Sequence, residues 1–220
     1  MITIQNIKLA LFSTLMLGVT VSAHAQDENI CAPFKNANVN QDVIALMLQA
    51  AVDGDLYRVK PGSSKMGFCI NSPIGVVEAE FRDFKGGLSL DNFMQKGTSL
   101  LQVEVDSLES DSGLVEVMLK SESFLDSEQY PNITFVSTGI EWTAEKKGVL
   151  KGNLTMHGVT KEVAFYVELT KSGTLPGEET VTIKATTTIQ RSEFGMYTMS
   201  PMVDDRVRLC MTIDAYKYQS

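Results

Sequence analysis

Few residues of this chain could take part in proton transfer, nucleophilic attack or metal binding. The 220 residues include two histidines, His24 and His157, and three cysteines, Cys31, Cys69 and Cys210. A Ser-His-Asp group needs an imidazole oriented by a carboxylate. A zinc site needs three or four ligands from cysteine, histidine, aspartate or glutamate. Neither arrangement is indicated here, so we expect no catalytic residues and no metal ligands.

His157 and one pair of carboxylates are the clearest candidates that remain. His157 lies between two strand-like segments, and a turn histidine with local hydrogen bonds is favoured over catalysis. Asp204 and Asp205 could resemble the paired carboxylates of glycosidases. Adjacent strand residues point to opposite faces, and adjacent loop carboxylates are usually solvated. We therefore interpret this pair as part of a turn.

Arg191 and a glycine pair complete the candidate groups. Arg191 could contact an anionic head group, or it could pair with Glu193 or another acid, and the structural pairing is favoured. Gly86 and Gly87 lie outside any G-x-G-x-x-G pattern or βαβ context, so they indicate a turn or bulge rather than a phosphate-binding loop.

The first 25 residues have the layout of a secretory signal peptide. Lys8 is followed by the uncharged apolar run 9–21, and 23–25 read Ala-His-Ala, a small-residue cleavage site. The run is shorter than the ~20 residues that a membrane-spanning helix needs. An uncleaved anchor is the alternative. We expect cleavage after residue 25, export to the periplasm and no stable membrane insertion afterwards.

Charge and cysteine content narrow the partners of the exported chain. Lys8 is the only charged residue of the segment 1–25, so its removal changes the net charge from −8 to −9. An acidic chain without a basic run does not suit nucleic acid.

The periplasm permits disulfides, and three cysteines allow one bridge and one free thiol in three pairings.

Hydrophobic spacing divides the mature chain into a short extension and one large domain. In the extension, 26–55, Val43, Leu46, Met47 and Ala50 have helical spacing, which predicts a short helix packed outside the main domain. A partner-binding helix is the alternative. From residue 56 onward, period-two alternation predicts about eight strands in a sandwich or barrel. The alternating segments are 66–71, 77–81, 101–106, 133–142, 149–156, 162–169, 181–189 and 207–213.

One segment interrupts the strands. Asp111 or Ser112 could cap a helix on which Leu114, Val117 and Met118 share a face. We predict a helical excursion within 111–130 that covers one end of a barrel.

The sequence is rich in large flexible and aromatic apolar side chains. It contains 10 phenylalanines and 11 methionines. An eight-stranded barrel is either filled by its own side chains or holds one small ligand. Methionine suits both, because it fills irregular cores and adapts to apolar ligands.

Four segments together resemble the YceI-like proteins, in the order of that family's motifs. They are FRDFKGGL at 81–88, LKSESFLD at 119–126 followed by YPNITF at 130–135, GNLTMHGVTK at 152–161 and IQRSEFGM at 189–196. The resemblance covers roughly 56–216. It implies an extended eight-stranded antiparallel lipocalin-like barrel, with a short helical excursion, and a periplasmic location. It also implies an elongated apolar lumen that binds an isoprenoid chain, such as an isoprenoid quinone or polyprenyl lipid.

Alternation along the strands then nominates the residues that face this lumen. No catalytic residue is implied by the resemblance, and Arg191 is the candidate for a head-group contact. The nominated ligand-binding residues are Phe68, Ile70, Phe81, Phe135, Met156, Phe165, Phe194 and Leu209.

The chain departs from the family in two places. Members often carry a histidine in the early strand, whereas 68–72 read FCINS here. The extension 26–55 lies outside the common barrel, which leaves a signal peptide at 1–25 and a barrel domain at 56–220. Alternation points Cys69 and Cys210 away from the interior, and we hypothesise that Cys31 bridges to one of them and holds the extension on the barrel.

The sequence thus favours a periplasmic carrier of an apolar ligand, without a cofactor and without enzymatic activity. One alternative is an envelope stress or interaction protein, whose barrel is packed and which acts through its surface. A less favoured alternative is an enzyme acting on a bound lipid, with Arg191, His157 or Glu193 in the site. The sequence leaves the oligomeric state open.

Overall fold

The computed structural model describes residues 55–60, 62–90, 97–172 and 179–217. The predicted signal peptide and nearly all of the extension, with its predicted helix, lie outside these residues. The described strands are β1 (Asp55–Val59), β2 (Lys65–Ser72), β3 (Gly75–Phe81), β4 (Phe84–Leu90), β5 (Gly97–Glu104), β6 (Leu108–Ser110), β7 (Asn132–Ala144), β8 (Lys147–Met156), β9 (Val159–Ser172), β10 (Thr180–Gln190) and β11 (Arg206–Lys217). Helix α1 spans Gly113–Lys120, and short 3-10 turns span Val105–Ser107 and Arg191–Phe194.

These strands form one closed antiparallel barrel with eight strand positions. β1 and β2 both pair with β11, one after the other, and share the first position. β3 and β4 share the second position, and β5 and β6 share the third. The remaining positions are single strands, and the pairing of β1 with both β4 and β11 closes the ring. The predicted eight-stranded barrel with a helical excursion is confirmed.

Alternation along the strands produces the interior. In β9, Phe165, Val167 and Leu169 are buried, whereas Tyr166 and Glu168 between them are exposed. Successive side chains of a strand point to opposite faces, so one apolar set fills the barrel and the other set meets solvent.

Three strands, β1, β4 and β6, were not anticipated from the sequence. β1 and β4 carry no clean alternation, and the prediction of a turn or bulge at Gly86 and Gly87 is wrong because both lie within β4. β1 and β5 pair with β4 on either side. A Cβ atom at Gly86 would collide with the Leu100 carbonyl oxygen of β5, so glycine here permits a close approach of two backbones.

Helix α1 lies between β6 and β7, as predicted, but its inward face differs. Leu114 and Val117 are 81% and 69% exposed, whereas Leu119 is buried and Met118 faces the interior. Leu114 and Val117, which helical spacing groups with Met118, therefore lie towards solvent and do not line the barrel interior. The helix has two apolar stripes, and periodicity alone does not identify the one that faces the barrel. In the described part of the chain, no helix has both the length and the apolar character needed to cross a bilayer.

The two ends of the barrel differ. α1, the β2–β3 turn, the β8–β9 turn and the segment 191–205 lie at one end, which we call the helix end. A small separate cluster of buried residues packs towards the opposite end, and its members are Tyr57, Leu88, Leu90, Leu169, Val181 and Ala215. The larger core cluster lies between them and surrounds a cavity.

Candidate ligand cavity

A cavity of about 380 Å³ occupies the barrel interior and reaches the helix end. Strands β2, β3, β5 and β7–β11 line it, together with α1 and the segment 196–203. Ile74, Met199 and Met202 line the cavity and are also exposed to solvent, so they mark its mouth. An eight-stranded barrel of this kind has room for one small ligand.

The walls of the cavity are almost entirely apolar. Among the described residues that line it, Ser72 and Arg191 are the only ones with a polar side chain. In the part of the chain that the structure describes, seven lining residues are methionines: Met66, Met118, Met156, Met196, Met199, Met202 and Met211. Their unbranched side chains change shape easily, so the cavity can adapt to an elongated apolar molecule.

Aromatic pairs fix the shape of the wall. Phe135 and Phe165 pack edge to face with ring centroids 5.2 Å apart, and Phe68 and Phe81 lie 6.1 Å apart. The Phe135 ring sits over Gly152, where an added Cβ would lie within 2.6 Å of both the ring and the Val136 carbonyl oxygen. Glycine at this position of β8 therefore makes room for the ring of its neighbouring strand.

Most of the nominated lumen residues lie on this wall. Phe68, Ile70, Phe81, Phe135, Met156, Phe165 and Leu209 all line the cavity. Phe194 is fully buried in the core but is not among the lining residues. Contact of these residues with a ligand stays a prediction.

Arg191 is buried at the wall and holds the segment 196–204 by hydrogen bonds. Its guanidinium donates to the carbonyl oxygens of Asp204 at 3.0 Å, Met196 at 2.9 Å, Thr198 at 2.8 Å and Val203 at 3.2 Å. The favoured pairing with Glu193 or another acid is wrong, because among the described residues its partners are backbone carbonyls. Arg191 thus shapes the cavity mouth and places a positive charge beside an apolar wall.

His157 joins three parts of the helix end. His157 and Gly158 have φ values of 51° and 72°, as the two central residues of a type I′ hairpin turn require. The turn is as predicted, but the hydrogen bond is not local. His157 Nδ1 lies 3.0 Å from the Phe194 carbonyl oxygen, and its ring packs against Tyr130 with centroids 5.0 Å apart.

Asp204 and Asp205 are structural. Asp205 accepts hydrogen bonds from the Ser192 amide at 2.9 Å and the Ser192 hydroxyl at 2.7 Å. Asp204 accepts from the Arg206 amide at 3.0 Å, and this bond lowers the pKa of the Asp204 carboxyl. Both carboxylates fasten the segment 191–206, which supports the interpretation of a turn. Within the described residues, no cluster of three or more histidine, cysteine or acidic side chains could hold a metal ion.

Cys210 lies on the outer side of β11 and is a free, buried thiol. Burial raises its pKa to about 11, because the thiolate would lose its hydration. A thiol with a raised pKa is a poor nucleophile at neutral pH. Its position agrees with the prediction that it points away from the interior.

Most lining residues outside the strands were not nominated from the sequence. Val115, Met118, Phe124 and Leu125 come from α1 and the turn after it, and the methionines at 196, 199 and 202 come from the segment before β11. The spacing of those three methionines in a segment without strand alternation was the available signal.

Comparison with known proteins agrees with this architecture. The family model for the YceI-like domain matches residues 57–215. A UPF0312 protein of Pseudomonas putida strain F1 is 34% identical over 122 residues, which cover 54% of this chain and 64% of the relative. The matched part is therefore less than two thirds of that relative's length.

Solved structures show the same fold at low sequence identity. BcnA of Burkholderia cenocepacia is 22% identical with a TM-score of 0.63, over 69% of this chain and 95% of that protein. A Campylobacter jejuni YCEI protein is 21% identical with a TM-score of 0.60, over 64% and 85%. A polyisoprenoid-binding domain from Saccharophagus degradans is 9% identical with a TM-score of 0.55, over 74% and 98%. With the family model matching most of the chain, the protein belongs to the YceI-like domain family.

Proposed function

We propose that this protein binds an isoprenoid or similar apolar molecule in the barrel cavity and carries it through the periplasm. The observation that supports this proposal is the cavity of about 380 Å³, whose described wall residues are apolar apart from Ser72 and Arg191. Ligand sites in proteins commonly have volumes of roughly 300–1,000 Å³. The similar Saccharophagus degradans domain is described as polyisoprenoid-binding, which names the chemical class.

Burial of the chain supplies the affinity. Each buried CH₂ group contributes about 0.8 kcal/mol, so one isoprene unit contributes roughly 4 kcal/mol. Association loses about 4–15 kcal/mol of translational and rotational freedom. Two to four units inside the cavity therefore offset that loss without a charged contact. Selectivity then follows from the length and shape of the chain.

Arg191 is the candidate for a head-group contact. Its Nη2 donates to one carbonyl, at Val203, so one N–H of the guanidinium has no acceptor among the described residues and could meet a ligand. A carbonyl, hydroxyl or anionic head group at the mouth would accept it. The other N–H groups of the guanidinium donate to backbone carbonyls, so the Arg191 side chain is held in place before a ligand binds.

We propose a binding role rather than catalysis. His157 Nδ1 contacts the Phe194 carbonyl oxygen, Arg191 holds backbone carbonyls, and Glu193 is exposed. These three groups do not form the imidazole–carboxylate pair that nucleophilic catalysis uses.

The first experiment is native mass spectrometry of the mature protein, purified from its own host, before and after extraction with organic solvent. We expect an additional mass of several hundred daltons that partitions into solvent. Extraction that yields no lipid, together with no binding of an added isoprenoid quinone, would contradict the proposal.

A matched pair of tryptophan variants locates the ligand. Met211→Trp places a large rigid ring in the cavity, and Tyr166→Trp changes a side chain that is 72% exposed on the outer wall. We expect M211W to lose quinone binding while Y166W retains it. Equal binding by both would place the ligand elsewhere.

Location and disulfide pairing are part of the same proposal. The signal-like segment 1–25 supports export, and N-terminal sequencing of periplasmic protein should begin at Gln26. We propose that Cys31 bridges to Cys69. The chain has three cysteines and Cys210 is free, so Cys31 and Cys69 are the two that could pair within one chain. Peptide mapping without reduction tests this pairing, and a free Cys31 would contradict it.

A further inference from the structure

Large apolar side chains are exposed around the mouth of the cavity. Six of them form what we call the apolar rim: Ile74, Leu114, Val117, Tyr197, Met199 and Met202. Their exposures range from 39% for Met199 to 84% for Ile74. Scattered single apolar residues are normal on protein surfaces, but a cluster at one end of a molecule marks an interaction site.

The β2–β3 turn gives the first reason to assign a role to the rim. Its tip reads Pro73-Ile74-Gly75, with the Ile74 side chain almost fully in solvent. Hairpin tips favour glycine, asparagine, aspartate and serine, because these residues suit turn geometry and water. A β-branched apolar residue in this place does not serve the turn, which points to contact with an apolar surface.

Helix α1 gives an independent second reason. Its inner face, with Val115, Met118 and Leu119, closes over the cavity. Its outer face carries Leu114 and Val117, which are exposed. A short helix that is apolar on both sides is normally covered on both sides. The outer face therefore offers an apolar surface on which a neighbour could pack.

The rim is continuous with the cavity. Ile74, Met199 and Met202 belong to both, so one apolar surface runs from the cavity wall to the outside of the mouth. Tyr197 adds a side chain with an apolar ring and a polar tip, as found at the boundary between lipid and water. A water-insoluble chain that enters this cavity would meet the rim first.

Charges near the rim decide which lipid surface fits. Asp111 precedes α1, Glu122 follows it and Glu193 lies before the methionine segment, and all three are exposed. The basic side chains of Lys120 and Arg206 are paired with Glu116 at 2.8 Å and Asp204 at 3.4 Å. This surface would be repelled by anionic lipid and suits uncharged or zwitterionic head groups.

We propose that the apolar rim docks on a zwitterionic lipid bilayer and that the cavity exchanges its ligand there. The proposal rests on the proposed function for the ligand, but docking itself is measured without one. Ile74, Leu114, Val117 and Met202 enter the boundary between head groups and acyl chains, and the mouth opens towards the membrane. Apolar contact rather than charge supplies the binding.

The test uses the mature full-length chain and flotation with vesicles of phosphatidylcholine and phosphatidylethanolamine. Ile74→Asn and the double variant Leu114→Gln/Val117→Gln remove apolar surface without changing charge. Asparagine suits a turn, and glutamine suits a helix. Tyr166→Gln is the control, because Tyr166 is 72% exposed on the outer wall of β9.

We expect each rim variant to lower the vesicle-bound fraction by about tenfold, because large aliphatic groups leave the lipid boundary. Y166Q should bind vesicles as the parent chain does. Higher salt should not release the protein. The rate of quinone transfer from vesicles should fall in parallel for both variants. The amount of quinone that Leu114→Gln/Val117→Gln takes up from detergent at equilibrium should stay unchanged, because neither residue is among the residues that line the cavity.

Four outcomes would overturn the proposal. They are no vesicle binding by the parent chain, equal binding by rim variants and Y166Q, binding that requires anionic lipid, and rim variants that convert a dimer to a monomer. The last outcome would assign the rim to a second copy of the chain. Failure to take up quinone from detergent, with vesicle binding intact, would refute the proposed function alone.

Discussion

Replacement of Arg191 by methionine tests the hydrogen-bond network that shapes the cavity mouth. The buried guanidinium donates to four backbone carbonyls between 2.8 and 3.2 Å. A hydrogen bond to a charged group contributes about 1.5–3 kcal/mol, but carbonyls near a surface regain water when the donor is lost. We therefore expect R191M to lower the free energy of unfolding by about 3–5 kcal/mol, similar to the loss of one partner from a buried ion pair.

Urea unfolding at 25 °C, followed by circular dichroism and tryptophan fluorescence, measures this loss. Arg206→Met is the matched control, because the Arg206 side chain is 71% exposed and its pairing with Asp204 is a surface contact. We expect R206M to change the free energy of unfolding by less than about 1 kcal/mol. The loss of unfolding free energy for Arg191→Lys should lie between those of R191M and R206M, because a single ammonium group cannot reach all the carbonyls that the planar guanidinium contacts.

If the free energies of unfolding of R191M and R206M agreed within about 0.5 kcal/mol, this reasoning would be refuted. It would mean that the segment 196–204 is held by its apolar side chains and not by the arginine. Limited proteolysis distinguishes local from global loss, because R191M should first become susceptible between residues 196 and 204.

Three further predictions concern the barrel. Gly152→Ala should destabilise the fold by about 1–3 kcal/mol, because the new methyl group would press on the Phe135 ring. In the same urea assay, Gly113→Ala at the start of α1 should be neutral or stabilising by up to about 1 kcal/mol, because its methyl group meets open space. The thiol of Cys210 should resist a disulfide reagent at pH 8 until the protein unfolds. Its pKa in the folded protein, about 11, exceeds the usual 9.0, so its contribution to the free energy of unfolding is complete below pH 9. That contribution should be lost as pH rises through 11, which would be measured as a falling urea midpoint. His157→Asn should keep the type I′ turn, because asparagine tolerates positive φ. It should lose the hydrogen bond to the Phe194 carbonyl oxygen and lower the free energy of unfolding by about 1 kcal/mol. An unchanged urea midpoint would contradict a stabilising role for this hydrogen bond.

Much of the barrel could be predicted from period-two alternation. The interior positions of β9, from Phe165 to Leu169, follow directly from it, and seven of the eight nominated lumen residues line the cavity. The eighth, Phe194, lies in a 3-10 turn, where alternation does not define an interior side. β4 was missed because Gly86 and Gly87 have no side chains to alternate and because pairing on both edges, which favours the strand, is a property of the fold.

The inward face of α1 and the role of Arg191 could not be predicted for a related reason. Residues 114 to 119 offer two apolar stripes, and contact with the barrel mouth selects one of them. Arg191 was expected to find an acid, since charge is the property visible in a sequence. Its partners are backbone carbonyls up to 13 residues away, which converge on it only when the segment before β11 folds back.

The sequence by itself determined that the domain is mainly β, because alternation of side chains along strands is a local property that each strand carries independently. It also determined that apolar side chains would dominate the interior. Only the tertiary structure decided that about 380 Å³ of this interior is left unfilled, because a void depends on how side chains from distant strands meet. The mouth at the helix end and its apolar rim were decided in the same way, since α1, the β2–β3 turn and the methionine segment become neighbours only when the barrel closes.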